Sequence, residues 1–461
     1  MSVQTSYEKV SKIQSEAMFH RAKQVIPGGV SANIKYFAPH PIIMKSAEGS
    51  QLVDVDGNTY IDYLLCYGAL ITGHGHQQVV KATTDYMHKI GTTIFGTPHE
   101  LEVTMADKLT ALYPGIDMVR YTNSGLEATL LAIRMATAYT GKKKIGKFEG
   151  HYHGGYNHVL VSVNPDQKES GNEEEPNIVP ESKGIPAHEL KQTIVLPFNN
   201  IEATERLLRK HAHELAAIIM EPVQGGFIPA EQDFIVRLRE LTSELDILLI
   251  FDEVKTGFRV HLGGAQSVYQ IEPDLTALGK VLGGGFPVGA VGGKREIMMI
   301  SAPTSDSDIF SVGGASRAKN DVVFHSGTYN GHPIVLAAGL ETILLLEQDG
   351  CMEDLFMKTD MLRKKLEKLY HTYEIPMQTV GMGSIFNIVL TNHSIRNYRD
   401  MWQADTNLRH KIDIELLNLG VYIKPLNRYS MSIVHSEENI NQTVIAHEKA
   451  IKNVLNSRGR G

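Results

Sequence analysis

The stretch ILLIFDEVKTGF, from Ile247 to Phe258, decides how the rest of the chain is read. Its apolar run, Ile247 to Phe251, is that of a strand buried on both faces, as strands of parallel sheets are. The run ends abruptly in Asp252 and Glu253. A carboxylate at the end of so dry a strand is costly unless a cation or hydrogen-bond donors meet it. Such a partner has to come from elsewhere in the chain.

Working outward, further short apolar runs alternate with helical stretches. MVRYT precedes a helix expected over 125–140, KKIGKFE and AAIIMEPV read as strands, and the alternation predicts an α/β fold with a mostly parallel central sheet covered by helices. Upstream, residues 6–26 carry apolar positions at helical spacing, stopped by Pro27-Gly28-Gly29, and LVDVDGNTYIDYL brackets Asp56-Gly57 as a hairpin. Downstream of about residue 335, long helical segments are followed by IFNIVLT and SMSIVH as strands and by a closing helix. The expected division is an N-terminal segment, 1–75, joining a small α+β domain completed by 336–461, and a large domain over 76–335. Residues 164–192, with an EEE run, and 302–322, rich in Ser, Gly and Asp, read as loops.

Composition narrows the partners. The 461 residues are 42% hydrophobic, enough for a large core, and a net charge of -7 supplies no basic footprint for nucleic acid. Two cysteines, Cys66 and Cys351, argue against a disulfide framework and for a cytoplasmic setting. No signal peptide and no apolar run long enough for a bilayer is expected. A small molecule is the expected partner.

Five motifs bear on what Asp252 needs. Lys280 lies 28 residues downstream in LTALGKVLGGGFPVGAVGGK, a glycine-rich run that fits neither a Walker loop nor a dinucleotide fingerprint. In RYTNSGLEATLLAIRMA, Ser124 and Glu127 spell a capping box, so the free amides at that helix start suit a phosphate. FEGHYHGGY offers Tyr152 as an aromatic for a flat ring; a metal reading of His151 and His153 lacks a third ligand. MEPVQGG places Gln224 after a strand end, and HSGTYNGHP holds Thr328 in a glycine-bounded turn. A strand-terminal acid, a lysine, a phosphate-binding helix start and a stacking aromatic together fit pyridoxal 5'-phosphate: Lys280 as the Schiff-base amine and proton shuttle, Asp252 as the partner of a pyridinium. No metal is expected.

With these motifs in place, the chain resembles the class III aminotransferases of fold type I, in the branch that contains glutamate-1-semialdehyde 2,1-aminomutase. The resemblance runs through IPGGVSANIKYF, VDVDGNTYIDYLLCYGALITGHGH, NSGLEATLLAIRMATAYTGKKKIGKFEGHYHG, LLIFDEVKTGFRV and GTYNGHP. It implies that Val254 lies against the ring, that Ser124, Gly125 and Leu126 hold the phosphate, and that Tyr152 stacks. It also implies a homodimer with active sites at the interface, Thr328 coming from the neighbouring subunit.

The departures from the aminomutase pattern lie at substrate-facing positions. An arginine after P-G-G-V is replaced by Lys35, a poorer bidentate partner, and a tryptophan by Tyr67. A threonine at the phosphate becomes Leu126, an asparagine becomes Gly226, and a C-terminal glutamate is missing where Arg428 stands. A longer acidic segment, 164–185, replaces the gating loop with which the mutase retains its diamino intermediate. These changes favour release of a ketone, so the expected activity is a ping-pong aminotransferase between an amino acid or amine donor and a carbonyl acceptor, with Lys35 or Arg428 anchoring a carboxylate. The alternatives are the aminomutase itself, making 5-aminolevulinate, a racemase or epimerase on the same scaffold, and a catalytically silent cofactor-binding protein.

Overall fold

The computed structural model describes residues 11–303 and 322–458. Most of the 302–322 loop and residues 6–10 therefore lie outside the described residues, and the helix expected over 6–26 runs from Ile13 to Ala22. Contacts divide the chain into two compact units, one running to Gln77 and continuing over Asp349–His393 and from Gln403, the other comprising Gln78–Gln348 with Ser394–Trp402.

The second unit is built on a seven-stranded sheet. Its strands are β1 (Met118–Thr122), β2 (Lys144–Phe148), β3 (Thr193–Leu196), β4 (Leu215–Met220), β5 (Leu248–Asp252), β6 (Leu275–Gly279) and β7 (Gly289–Gly293), in the order β1-β7-β6-β5-β4-β2-β3. Only β7 runs against the others, pairing antiparallel with both β6 and β1. The sheet is thus mixed but mostly parallel, and the apolar runs read from sequence are its central strands, with β4 and β6 buried throughout. Helix Gly125–Thr140 lies on it, packing Leu131, Ile133 and Met135 among Ile219, Ile250, Leu275 and Val291. Each such buried side chain contributes about 1.5–3 kcal/mol. The glycines of β7 are a packing requirement: a Cβ on Gly289 would sit 2.1 Å from the Ser124 carbonyl oxygen, so only glycine lets β7 pass beneath the start of that helix.

Helix Pro333–Leu346 belongs to this unit too, which moves the second boundary from the expected 335 to 348. The cause is close packing: a Cβ on Gly339 would lie 2.1 Å from the Leu282 carbonyl oxygen. Segment 164–192, expected as a loop, is irregular but tied down by bridges at Val161–Pro180 and Gly171–Pro176 and ends in the short helix Ala187–Leu190.

The first unit joins the two ends of the chain. Strands Met44–Glu48, Gln51–Asp54 and Thr59–Asp62 form an antiparallel meander, the last two being the expected Asp56-Gly57 hairpin, and Val421–Tyr422 adds in parallel. A second sheet pairs Gln378–Met382, Ile385–Val389 and Tyr429–Ser430. Helices Cys351–Thr372, Thr406–Asn418 and Glu437–Arg458 complete it. SMSIVH is not the expected strand: pairing stops at Ser430, because the His435 ring turns back to take the Ser432 amide at 3.1 Å and its hydroxyl at 2.7 Å. Alternation of residue types could not anticipate that local closure.

Candidate active site

Parallel strands deliver the site. β1, β2, β4, β5 and β6 run in one direction, so the residues after them, Ser124, Glu149, Glu221, Asp252 and Lys280, come out along one edge of the sheet, where open α/β sheets bind ligands. A cleft of about 230 Å³ opens there, lined by Gly125, Leu126, Tyr152, His153, Glu221, Asp252, Val254 and Lys280 among others.

The two acids of the opening stretch have separate fates. Asp252, 4% exposed, is met by His153: the ring Nδ1 lies 2.8 Å from Oδ2, while Oδ1 accepts the Val254 amide at 3.1 Å. A carboxylate can only accept here, so Nδ1 carries the hydrogen, and Nε2 is buried without a partner among the described residues. Glu253 points the other way. Fully buried, it accepts the amides of Ala265 (2.6 Å) and Gln266 (3.0 Å) and the Thr256 hydroxyl (2.8 Å) at the start of helix Gly264–Tyr269. Burial raises its pKa, and those donors oppose the rise. The acid pair is thus one site group and one helix cap.

Lys280 opens the turn after β6 with φ +48°, the left-handed region that lysine seldom adopts. Such strain persists only where surrounding structure over-determines it. Beside it, Ser124 caps helix Gly125–Thr140, its Oγ accepting the Glu127 amide at 3.2 Å, and the Glu127 carboxylate reaches back to the Asn123 amide at 2.5 Å. The amides of Gly125 and Leu126 have no partner within the helix and carry the positive end of its dipole. Gly125 is a cradle: a Cβ there would fall 2.5 Å from Val254 Cγ1.

Tyr152 is 53% exposed at the cleft, held by its amide, which donates to Glu221 Oε2 at 3.0 Å. Gln224 is not among the lining residues. Its Nε2 donates to the Glu149 carbonyl at 2.6 Å behind the strand ends, and its buried Oε1 has no partner among the described residues. Thr328 is exposed in the turn after Gly327 and does not line the cleft of its own chain.

The three substrate candidates lie in the first unit. The structure brings Tyr67 and Arg428 near each other: burial raises the Tyr67 hydroxyl, and the Arg428 guanidinium partly offsets the rise. Tyr67 donates to the Ile34 carbonyl at 2.8 Å, and Lys424, absent from the sequence-based expectations, donates to the same oxygen. Lys35 bonds Ser31 Oγ at 2.8 Å instead. Glu221 and His153 were also missed as site residues. Glu221 carried the same signal as Asp252, an acid ending an apolar strand. Among the described residues no cluster of three or more His, Cys, Asp or Glu is placed to hold a metal, and no helix is long and apolar enough to cross a membrane.

The model of the class-III aminotransferases matches residues 35–451. A curated glutamate-1-semialdehyde 2,1-aminomutase of Methanothermobacter thermautotrophicus is 40% identical over 449 residues, covering 96% of this chain and all of that one. The crystal structure of an omega-transaminase from Sphaerobacter thermophilus superposes with a TM-score of 0.87 at 35% identity, covering 95% of this chain and 97% of that one. A transaminase with PLP bound gives 0.86 at 30% identity, covering 98% and 100%.

Proposed function

Because the chain belongs to the class-III aminotransferases, pyridoxal-phosphate enzymes, we propose that its cleft holds the cofactor at Lys280 and that it converts glutamate-1-semialdehyde into 5-aminolevulinate. The observation that carries the substrate is the full-length likeness to the aminomutase. It reverses the order expected from sequence, in which a ping-pong aminotransferase came first.

The residues present fit the cofactor. Gly125 leaves room for a group at the helix start, two backbone amides await an anion, and His153, bonded to Asp252 through Nδ1, keeps Nε2 without a partner among the described residues. Bound there, pyridoxal phosphate supplies an aldehyde that captures amines and a ring that takes up the electron pair left at the substrate carbon. The amides of Gly125 and Leu126 and the Ser124 hydroxyl hold the phosphate. Asp252, oriented by its hydrogen bond to His153 Nδ1, would hold a proton on the ring nitrogen. Val254 and Tyr152, both lining the cleft, would border the ring. The Lys280 amine moves the proton at the substrate carbon, a role worth about 10²- to 10⁴-fold. A homodimer, with Thr328 completing the neighbour's phosphate site, belongs to the same reading and is checked by light scattering.

A second reading, the aminotransferase that releases a ketone, is favoured by one observation: Lys35 stands where the aminomutase pattern has an arginine, and it occupies itself with Ser31. One assay separates the two. Glutamate-1-semialdehyde alone is expected to give 5-aminolevulinate, identified by mass; conversion only when an amine or β-amino acid is paired with a keto-acid acceptor would overturn the aminomutase in favour of the aminotransferase.

A further inference from the structure

Residues 394–402 leave the first unit, lie on the second and return. Their anchor is Arg399. Its Nε and Nη2 fork the Glu149 carboxylate at 2.7 and 3.0 Å, with both side chains nearly buried. Nη1 donates to the Gly171 carbonyl at 2.9 Å, and Nη2 is shared with the neighbouring carbonyls of Ser170 (3.0 Å) and Asn172 (3.2 Å) in the acidic segment. Trp402, the chain's single tryptophan, lies 5.4 Å from the guanidinium carbon. Two neighbours fasten the segment independently: Arg396 forks Glu231 at 2.5 and 2.7 Å, and the Tyr398 hydroxyl reaches the Pro165 carbonyl at 3.2 Å.

Glu149 is the first residue after β2, and the four that follow, Gly150 to His153, carry the chain into the cleft. That turn is gripped on all sides. The Glu149 carbonyl accepts from Gln224, the Gly150 amide donates to the Ser162 carbonyl at 2.8 Å, and Tyr398 covers Gly150 so closely that a Cβ there would lie 2.5 Å from Tyr398 Cβ. A bidentate, charge-assisted fork in a dry setting is directional as well as strong.

We infer that Arg399 is a positioning residue for the cofactor, fixing through Glu149 the turn that aims Tyr152 and His153, and with His153 the carboxylate of Asp252. The inference rests on the cofactor reading given above and extends it to a segment 250 residues from Glu149 in sequence. It accounts for why an arginine with five hydrogen bonds is spent on an irregular segment. It also gives the acidic segment a role, as the far wall of the guanidinium's socket.

The test uses the full chain, stripped of cofactor and titrated with pyridoxal 5'-phosphate by absorbance, for the parent, Arg399→Met, Arg399→Lys and Glu149→Gln. Expected are about tenfold weaker cofactor binding in Arg399→Met and Glu149→Gln, the equivalent of one lost charge-assisted bond, and partial rescue by lysine. Reloaded at saturating cofactor, the variants should lose kcat with little change in KM. Trp402 emission reports docking of the segment, and in Glu149→Gln it should match the parent, since Arg396 and Tyr398 still hold. Should Arg399→Met fail to fold, Glu149→Gln decides. Parent-like cofactor affinity in a folded variant overturns the inference alone, whereas a parent that binds no cofactor overturns the function proposed above and this inference with it.

Discussion

The cleft at the strand ends and the turn Leu65–Gly68 contain residues that the sequence singled out, and they are built in opposite ways. In the cleft, Ser124, Asp252 and Lys280 each lie at or just after the end of a parallel strand, and ladder hydrogen bonds place them with little strain apart from the φ of Lys280. In the turn, Leu65, Cys66, Tyr67 and Gly68 have φ of 44°, 52°, 57° and 89°, a left-handed run in which three of four residues bear side chains. Each such residue costs about 1–2 kcal/mol. Asp62 holds the run together: its Oδ1 accepts the Leu64 and Leu65 amides at 2.8 and 3.1 Å, and its Oδ2 meets His74 Nε2 at 2.8 Å. Regular structure aims the cleft residues, whereas Tyr67 is aimed by strain held in place by one buried carboxylate.

The comparison yields four expectations, of decreasing size. Lys280→Ala should lose at least the 10²- to 10⁴-fold owed to a positioned acid-base group, measured as steady-state turnover; parent-like rates would break the assignment of the cleft. Asp62→Ala should lower unfolding free energy by about 3 kcal/mol in urea titrations, since it strands two buried amides and a histidine. If the loss is a few tenths, the turn is not held as described.

The third expectation concerns pH on the cleft side. Lys147, in β2 just before Glu149, is wholly buried, and burial pushes its pKa down to about 7, against the pull of Glu221, Glu181 and Glu149. Between pH 7 and about 10 the unfolded chain keeps a proton on this lysine that the folded chain has released, so its contribution to stability rises with pH across that window. From pH 7 to 9 the parent should gain roughly 2 kcal/mol relative to Lys147→Met. Parallel pH profiles would show that the lysine is not depressed. Smallest is Cys66→Gly, which should stabilise by about 1 kcal/mol through relief of the left-handed backbone and leave the Asp62 contacts intact; a destabilised variant would mean that the Cys66 side chain contributes more than its strain costs.

Legibility in the sequence followed the same divide. Asp252 could be read because a dry run ending in an acid is a local anomaly, and Ser124 because a capping box is a spacing rule; the helix that begins there spans the expected 125–140. Glu221 obeyed the same rule as Asp252 and could have been read the same way. Lys424 and Arg399 could not. Neither stands in a periodic segment, and their partners, Ile34 and Glu149, lie 390 and 250 residues away. SMSIVH was misread because a single ring, His435, captured the backbone that alternation assigned to a strand.

By itself the sequence determined what depends on neighbours along the chain: which runs are dry enough to be central strands, where a capped helix starts, and which acid and lysine follow strand ends. Only the tertiary structure decided which buried group meets each acid. Asp252 received His153 and Glu253 received the amides of a helix start, although the two acids are adjacent. Successive strand residues point to opposite faces, and what waits on each face is set by elements that arrive from elsewhere in the chain.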